Sequence, residues 1–226
     1  MQIPERFAFL FNIAAMIWYK NNLTYAFVAV VLLLSLIQLQ ASQIALSIWV
    51  NGINLLWLDK LCLYGTFLGD GAFVIGFCVI LFFFKPRMSV VILLSYLMSS
   101  AITQGLKHLL FSDLHRPLWH LEKLDASLYH VIAGADVVYN NSFPSGHTTS
   151  AFAFFISLAL FLKRQSVQIL LLMLALFIGF TRIYLFQHFL IDTFAGAIIG
   201  FSTAYFVYFT LYQKGNLDGL FLKIKR

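Results

Sequence analysis

Residues 142–147, which read Ser-Phe-Pro-Ser-Gly-His, form a short polar segment directly before an uncharged apolar run. The run, residues 148–162, is rich in phenylalanine, alanine and leucine and is predicted to be a helix. Ser142 or Ser145 is suited to cap its first turn, and Pro144 suits the first helical position because its missing N–H has no partner there. The segment therefore marks the predicted N-terminus of a helix.

The start of this helix offers the chemistry of an anion site. Unpaired N–H groups and the positive end of the helix dipole attract a phosphate group, and Gly146 lets such a group approach the backbone closely. His147 would lie beside that phosphate as a proton donor. Taken alone, the segment favours an ordinary helix cap that carries a histidine by chance. Residues elsewhere in the chain are needed to distinguish an anion site from such a cap.

A second group of polar residues surrounds His188. Asp192 follows it by four positions, so the two side chains share one helix face and can meet. A carboxylate that accepts from one imidazole nitrogen leaves the other nitrogen neutral and able to attack. Arg182 precedes His188 by six positions, near the end of another apolar run. The alternative for the histidine–aspartate pair is a hydrogen bond that only joins structural elements.

The composition places these groups in a membrane protein. The chain has 226 residues, of which 61% are hydrophobic and 11% charged, and its mean hydropathy is +0.87. A soluble domain carries about 25% charged residues, so most of this surface is predicted to face lipid. Cys62 and Cys78 are predicted to be small packing residues without a disulfide or a metal.

Six apolar segments are predicted to cross the membrane: residues 23–39, 66–84, 88–110, 144–162, 167–186 and 189–212. The apolar part of residues 1–22 is too short to span a core of about 30 Å, so it is predicted to be an interfacial helix; a cleaved signal peptide is the alternative. Residues 40–65 are predicted to lie at the interface, and residues 111–143 form the longest loop. The predicted fold class is an all-α, polytopic membrane protein that forms a single domain over residues 1–226.

The basic residues are distributed unevenly between the two ends of these spans. Ten lie on the side of the termini, namely Arg6, Lys20, Lys85, Arg87, Lys163, Arg164, Lys214, Lys223, Lys225 and Arg226. Five lie on the other side, namely Lys60, Lys107, Arg116, Lys123 and Arg182. The positive-inside rule then predicts cytoplasmic termini. Topology accounts for the net charge of +6, so nucleic acid is not an expected partner.

The predicted topology brings the polar groups to one membrane face, the outer one: Lys107, Arg116, residues 145–147, Arg182, His188 and Asp192. A charged group within a membrane helix costs about 2.5–3.5 kcal/mol, and a bound anion would offset that cost. Cations and backbone N–H groups bind phosphate oxygens. A neutral histidine backed by a carboxylate is a nucleophile, and a second histidine is an acid. The combination predicts phosphoryl transfer through a phosphohistidine, without a metal ion.

These groups resemble the three signature blocks of the type 2 phosphatidic acid phosphatase (PAP2) superfamily, which read K-x6-R-P, P-S-G-H and S-R-x5-H-x3-D. Residues 144–147 match the second block in full. The third is present with Thr181 in place of the serine, and the first has eight residues instead of six between Lys107 and Arg116. Residues 65–71, reading GTFLGDG, also resemble a family feature. The resemblance covers about residues 60–205.

The resemblance implies a role for each of these side chains. His188 attacks phosphorus, Asp192 orients it, and His147 protonates the leaving oxygen and then activates the hydrolytic water. The phosphate oxygens are held by Lys107, Arg116 and Arg182, together with Ser145 and the N–H group of Gly146. No metal ion and no other cofactor is implied.

The resemblance further implies a hydrolase of the bacterial inner membrane whose site faces the periplasm. The expected partners are the bilayer and a lipid phosphate substrate: undecaprenyl diphosphate, lipid A phosphate, phosphatidylglycerophosphate or phosphatidate, with the first two favoured. The loop 118–141 is expected to shape the choice of headgroup. Two alternatives stay open, namely a lipid phosphotransferase with an acceptor other than water, and a transporter or flippase. The sequence leaves the oligomeric state undetermined.

Several other polar residues are less informative. His108, His115, His120 and His130 have neither a regular metal-ligand spacing nor an acidic residue four positions later. They are predicted to lie in the loop or to face headgroups. Asp70 is expected to cap a turn or to pair with a cation of the site.

Overall fold

The structure is a computed structural model that describes residues 21–213, so the predicted interfacial helix of residues 1–22 falls outside the described residues apart from its last two. The helices are α1 (Asn22–Gln40), α2 (Gln43–Asn51), α3 (Leu56–Gly65), α4 (Gly71–Phe84), α5 (Pro86–Leu109), α6 (Pro117–Leu121), α7 (Gly146–Phe161), α8 (Gln165–Tyr184) and α9 (Leu190–Val207). Short 3₁₀ turns occupy Thr66–Gly69 and Ala126–Leu128, and α9 continues as a π-helical segment, Tyr208–Gln213. The described chain is thus the helical protein that the sequence predicts.

Four helices are long and apolar enough to cross a membrane, namely α1, α5, α8 and the segment Leu190–Tyr212 that contains α9. A fifth span results if Leu56–Gly69 and Gly71–Phe84, which meet at an angle of 57°, count as one. α7 is apolar but has only 16 residues, a length of about 24 Å at 1.5 Å per residue. The six spans of the sequence are therefore supported only in part by helix length.

The predicted second span, residues 66–84, is broken at Asp70. This residue has an extended backbone, and its carboxylate accepts a hydrogen bond from the Ala72 N–H at 2.7 Å. A side chain that caps the next helix satisfies an N–H group that would otherwise lack a partner. The polar residue thus starts a new helix, and the chain turns where the sequence predicts a continuous run.

α7 begins at Gly146, two residues later than the predicted first helical residue, Pro144. Ser145 is the N-cap, with an extended backbone, and its hydroxyl faces the N–H group of Thr148. Pro144 precedes the cap and follows a cis peptide bond. The prediction that Pro144 occupies the first helical position is therefore wrong, and of the two candidate caps, Ser142 and Ser145, the structure selects Ser145.

α7 is the central helix of the bundle and is buried along most of its length against α5, α8 and α9. Two glycines of α9 face it. A Cβ atom on Gly196 would lie 2.7 Å from the carbonyl oxygen of Ser145, and one on Gly200 would lie 2.6 Å from Cβ of Phe152 and would collide with the Thr149 carbonyl. Small residues let membrane helices approach closely. This contact holds the cap of α7 against the start of α9.

The loop between α5 and α7 is fastened to the helices by a buried polar cluster. Asp59 accepts a hydrogen bond from the hydroxyl of Tyr184 at 2.5 Å and lies 3.1 Å from Nε2 of His130. Asn51 bonds the backbone of His130 in both directions, at 2.8 and 2.9 Å. His130 therefore has an acidic partner 71 positions away, which local spacing does not reveal. Cys62 and Cys78 are buried free thiols, in agreement with the sequence.

Candidate active site

A tight turn after α8 brings Arg182 and His188 together. The carbonyl oxygen of Arg182 accepts hydrogen bonds from the N–H groups of Gln187, at 2.9 Å, and His188, at 3.1 Å. Within the turn Phe186 adopts a positive φ of 54°, a conformation that is uncommon for a bulky residue. The backbone therefore folds back on itself and brings His188 next to the last turn of α8, which carries Arg182.

His188 and Asp192 meet, although His188 precedes the N-cap of α9, Phe189, and so does not share a helix face with Asp192 as the sequence predicts. Nδ1 of His188 lies 3.5 Å from Oδ2 of Asp192, and both side chains are almost fully buried. The same carboxylate oxygen accepts hydrogen bonds from the hydroxyl of Ser142, at 2.5 Å, and from the Phe189 N–H, at 2.9 Å. The distance to the ring exceeds that of an ordinary hydrogen bond, and catalytic contacts often tighten only when substrate is bound. Asp192 is thus fixed by two donors and faces Nδ1, which leaves Nε2 for chemistry.

The start of α7 lies directly beside this pair. The N–H group of Ser145 donates to the carbonyl oxygen of Asp192 at 3.0 Å. The hydroxyl of Ser145 accepts from the hydroxyl of Thr148 at 2.9 Å. The N–H groups of Gly146 and His147 belong to the first helical turn, where no helical carbonyl lies four residues earlier. The arrangement is the anion-attracting helix start that the motif predicts.

Three basic side chains surround the two histidines. Lys107 lies in the last turn of α5 and is 7% exposed, and Arg182 is 6% exposed. Nη1 of Arg116 donates at 3.0 Å to Oε1 of Gln187, the residue that directly precedes His188. Within residues 21–213 none of the three cations forms an ion pair with a carboxylate. The site therefore carries an excess of positive charge that a bound anion would compensate.

Arg182 is held in place by a hydroxyl. Its Nη1 donates to Oγ1 of Thr66 at 2.8 Å, while its Nε is buried without a partner among the described residues. An unsatisfied buried donor is costly, so this N–H group is available to a ligand oxygen. Thr66 belongs to the 3₁₀ turn before Asp70, and its role is not apparent from the sequence.

The electrostatic environment keeps the ring of His188 neutral. Burial, and then the charges of Arg116, Arg182 and Lys107, hold the pKa of His188 well below the usual value of an imidazole. A charged ring is disfavoured both by loss of water and by neighbouring cations. A neutral imidazole has a free electron pair and can act as a nucleophile.

His147 lies at the opposite edge of the site, beside Asp70. Its Nε2 is 3.9 Å from Oδ2 of Asp70, and both side chains are partly exposed, at 32% and 42%. A Cβ atom on Gly69 would lie 2.8 Å from the His147 carbonyl oxygen, so the turn before α4 packs directly on the start of α7. Asp70 thus both caps a helix and faces a site histidine.

The structure brings together the eight side chains and backbone groups named from the sequence and adds three side chains whose contacts with them the sequence did not predict. Ser142 binds Asp192, Thr66 binds Arg182, and Gln187 accepts from Nη1 of Arg116 at 3.0 Å. Each of these is a polar residue in or beside an apolar stretch, a signal that is too common to identify a partner. His115 lies outside the group, since it is stacked on Trp119 in the loop.

Comparisons with known proteins agree with this arrangement. Residues 89–215 match the family model of the PAP2 superfamily. The chain is 39% identical over 71 residues to the bacitracin transport permease protein BcrC of Bacillus licheniformis; the match covers 31% of this chain and 34% of that protein. The chain thus spans about a third of the length of that relative.

Two solved structures share the fold. LpxE of Aquifex aeolicus matches with a TM-score of 0.62 and 24% identity, over 72% of this chain and 92% of that one. A transmembrane PAP2-type phosphatidylglycerolphosphate phosphatase of Bacillus subtilis matches with a TM-score of 0.57 and 23% identity, over 89% of this chain and 97% of that one. The family match covers more than half of the chain and contains the second and third signature blocks, and this protein therefore belongs to the PAP2 superfamily.

Proposed function

We propose that this protein is a metal-independent phosphatase that hydrolyses a membrane lipid phosphate or pyrophosphate. The observation that carries the proposal is the set of three cations, Lys107, Arg116 and Arg182, which surround His188 without a carboxylate partner in the described part of the chain. Such a site is suited to the charge that builds up on phosphoryl oxygens in the transition state.

The proposed reaction has two steps. In the first, Nε2 of His188 bonds to phosphorus, the bond from phosphorus to the lipid oxygen breaks, and His147 gives its proton to that oxygen. In the second, His147 takes a proton from water, the water oxygen bonds to phosphorus, and the bond from phosphorus to His188 breaks. Asp192 stabilises the positive ring in the intermediate. The second step returns both histidines to their initial protonation states and releases inorganic phosphate.

Two cavities support a lipid as the substrate. One, of about 410 Å³, is almost wholly apolar, and its few polar neighbours include Thr148 and Thr193 beside the start of α7. The other, of about 480 Å³, is bounded by Ser142 and Asp192 and by loop residues that include His115 and His120. The first cavity is suited to an alkyl or isoprenyl chain. The second is lined by both Asp192 and His120, which supports a role of the loop 118–141 in the choice of headgroup.

The membrane arrangement is part of the proposal. We infer six spans, in which α3 with α4 forms one bent span and α7 is a short span surrounded by protein. The termini would be cytoplasmic and the site would face the periplasm of a bacterial inner membrane, with the whole chain forming one domain. The uneven distribution of basic residues supports this orientation.

Phosphate release from defined lipids tests the proposal. The protein is purified in detergent with EDTA and given undecaprenyl diphosphate, lipid A phosphate, phosphatidylglycerophosphate and phosphatidate, of which the first two remain favoured. We expect release from at least one lipid, inhibition by orthovanadate, and loss of release in His188→Ala. Release that persists in His188→Ala would refute the phosphohistidine route, and release that needs an added metal would refute metal independence.

Two other functions are distinguished by the same assay. A phosphotransferase would release phosphate only slowly until an alcohol or lipid acceptor is added. A transporter is suggested by the printed name of the Bacillus licheniformis relative, a bacitracin transport permease protein. That function would give movement of a solute across reconstituted vesicles with no release of phosphate from any lipid in the panel.

A further inference from the structure

Gln187 lies at the junction between the loop and the turn that carries His188. Its side chain is 3% exposed. Its Oε1 accepts a hydrogen bond from Nη1 of Arg116 at 3.0 Å, and its Nε2 donates to the carbonyl oxygen of Asp136. None of the three signature blocks specifies this position. The amide therefore connects the loop, a site cation and the nucleophile's turn through a single buried side chain.

Arg116 needs such a connection more than the other two cations do. Lys107 and Arg182 lie on α5 and α8, whereas Arg116 lies in the loop beyond the end of α5 at Leu109. The segment between Lys107 and Arg116 is also two residues longer than the family pattern. The remaining contacts of Arg116 are with loop backbone: its N–H donates to Tyr139, at 2.7 Å, and its Nε to the carbonyl of Asn140, at 2.9 Å. Gln187 is thus the contact that joins Arg116 to the catalytic turn.

The chemistry of the amide suits this purpose. A guanidinium has five N–H groups, and the two side-chain contacts use one on Nε and one on Nη1. Three N–H groups remain for a phosphate, in the planar arrangement that binds two oxygens at once. An amide fixes the direction of the guanidinium without neutralising it, whereas a carboxylate at the same place would compete with the phosphate for its charge.

We propose that Gln187 is a positioning residue that acts through Arg116: it aims the guanidinium at the phosphate and leaves its positive charge free for the ligand. The proposal rests on the proposed function, because it treats Arg116 as a ligand of the phosphoryl group. It deepens that function by adding a residue from outside the signature blocks.

A double-mutant cycle tests the proposal with orthovanadate as the probe. Binding is measured as the vanadate-dependent rise in thermal unfolding temperature of wild type, Gln187→Met, Arg116→Ala and the double variant. We expect Gln187→Met to raise the dissociation constant about tenfold or more, the order of a lost hydrogen bond to a charged group. In the Arg116→Ala background the same change should have less than about a twofold effect, because coupled residues are non-additive. Equal effects in the two backgrounds, or none in either, would overturn the proposal.

A control variant and a second substitution make the result specific. Asn51→Ala removes another anchor of the same loop without touching Arg116, and we expect vanadate affinity to be unchanged. Gln187→Glu keeps an acceptor for Arg116 and serves if Gln187→Met does not fold; it should also weaken vanadate binding, because the carboxylate neutralises the guanidinium. Wild-type affinity in Gln187→Glu, or an equal loss in Asn51→Ala, would contradict the proposal.

The outcome is separable from that of the proposed function. If the wild type releases no phosphate from any lipid, the phosphatase proposal fails, yet vanadate binding and its dependence on Gln187 are still measurable. If phosphate is released with wild-type KM and kcat by Gln187→Met, the phosphatase proposal stands and the role of Gln187 is refuted. A rise in KM with a smaller change in kcat is the pattern expected for a residue that orients a phosphate ligand.

Discussion

Replacing Asp192 with asparagine is the change that examines the chemistry most directly. The carboxylate lies 3.5 Å from Nδ1 of His188, and a unit charge pair at that distance contributes about 5 kcal/mol at an effective dielectric constant of about 20. In the proposed reaction the ring becomes positive only as Nε2 bonds to phosphorus, so this energy is available in the transition state and not in the substrate complex. Because the transition-state ring carries only part of a charge, we expect kcat to fall about 10³-fold while KM changes little.

We expect Asp192→Asn to lower kcat without lowering the stability of the protein. The oxygen of asparagine can still accept from the Ser142 hydroxyl and the Phe189 N–H, which now bind the carboxylate. The variant also removes a buried charge, and the burial of a charge costs free energy. The unfolding temperature of Asp192→Asn should therefore not lie below that of the wild type.

The assay is initial-rate phosphate release from the best lipid, with unfolding temperature measured on the same preparations. Ser142→Ala is the matched control, since it removes one donor from the carboxylate but keeps the charge, and we expect about a tenfold loss of kcat. Asp192→Asn with more than a tenth of the wild-type kcat would refute the electrostatic role of the carboxylate. A loss of kcat accompanied by a large fall in unfolding temperature would show that Asp192 acts mainly in folding.

Two other predictions concern the cations and the helix contact. Because neighbouring cations lower the pKa of His188, Arg116→Gln should raise that pKa and move the acidic limb of the pH profile of kcat/KM to higher pH. The ionisation of the substrate is the same in both enzymes and cannot cause the shift. An acidic limb that does not move, or that moves to lower pH, would contradict this prediction. A Cβ atom on Gly200 would collide with the backbone of α7, so Gly200→Ala should destabilise the protein by about 1–3 kcal/mol in denaturation experiments. At Gly76 a Cβ atom meets nothing within 4 Å, so Gly76→Ala should cause no loss of stability. Equal stabilities of the two variants would refute the close packing of α7 against α9.

Part of the candidate site was predictable from the sequence because its residues lie close together in the chain. His188 and Asp192 lie four residues apart, close enough in the chain to meet at the start of α9, although His188 itself precedes the N-cap Phe189. The sequence limited the cap of α7 to Ser142 or Ser145, because a serine before an apolar run satisfies a free N–H group. The membrane class followed from composition, since 11% charged residues are too few to cover a soluble domain.

Other features depend on contacts between residues far apart in the chain. The break at Asp70 was missed because an aspartate within an apolar run does not by itself show whether it caps a new helix or pairs with a cation. His130 has no acidic neighbour in its own segment, and its partner Asp59 is supplied by α3. A window of sequence contains only one member of each such pair, so neither contact can be read from it.

The sequence by itself determined which chemical groups the protein contains and that it lies in lipid. It supplied two histidines, one carboxylate, three cations and a helix start, within a chain that must lie in lipid. Only the tertiary structure decided how these groups are held. Glycines at the α7–α9 contact bring Ser145 to Asp192, while Thr66 and Gln187 accept hydrogen bonds from two of the three cations. The physical reason is that orientation comes from hydrogen bonds between side chains that are distant in sequence, and only folding makes them neighbours.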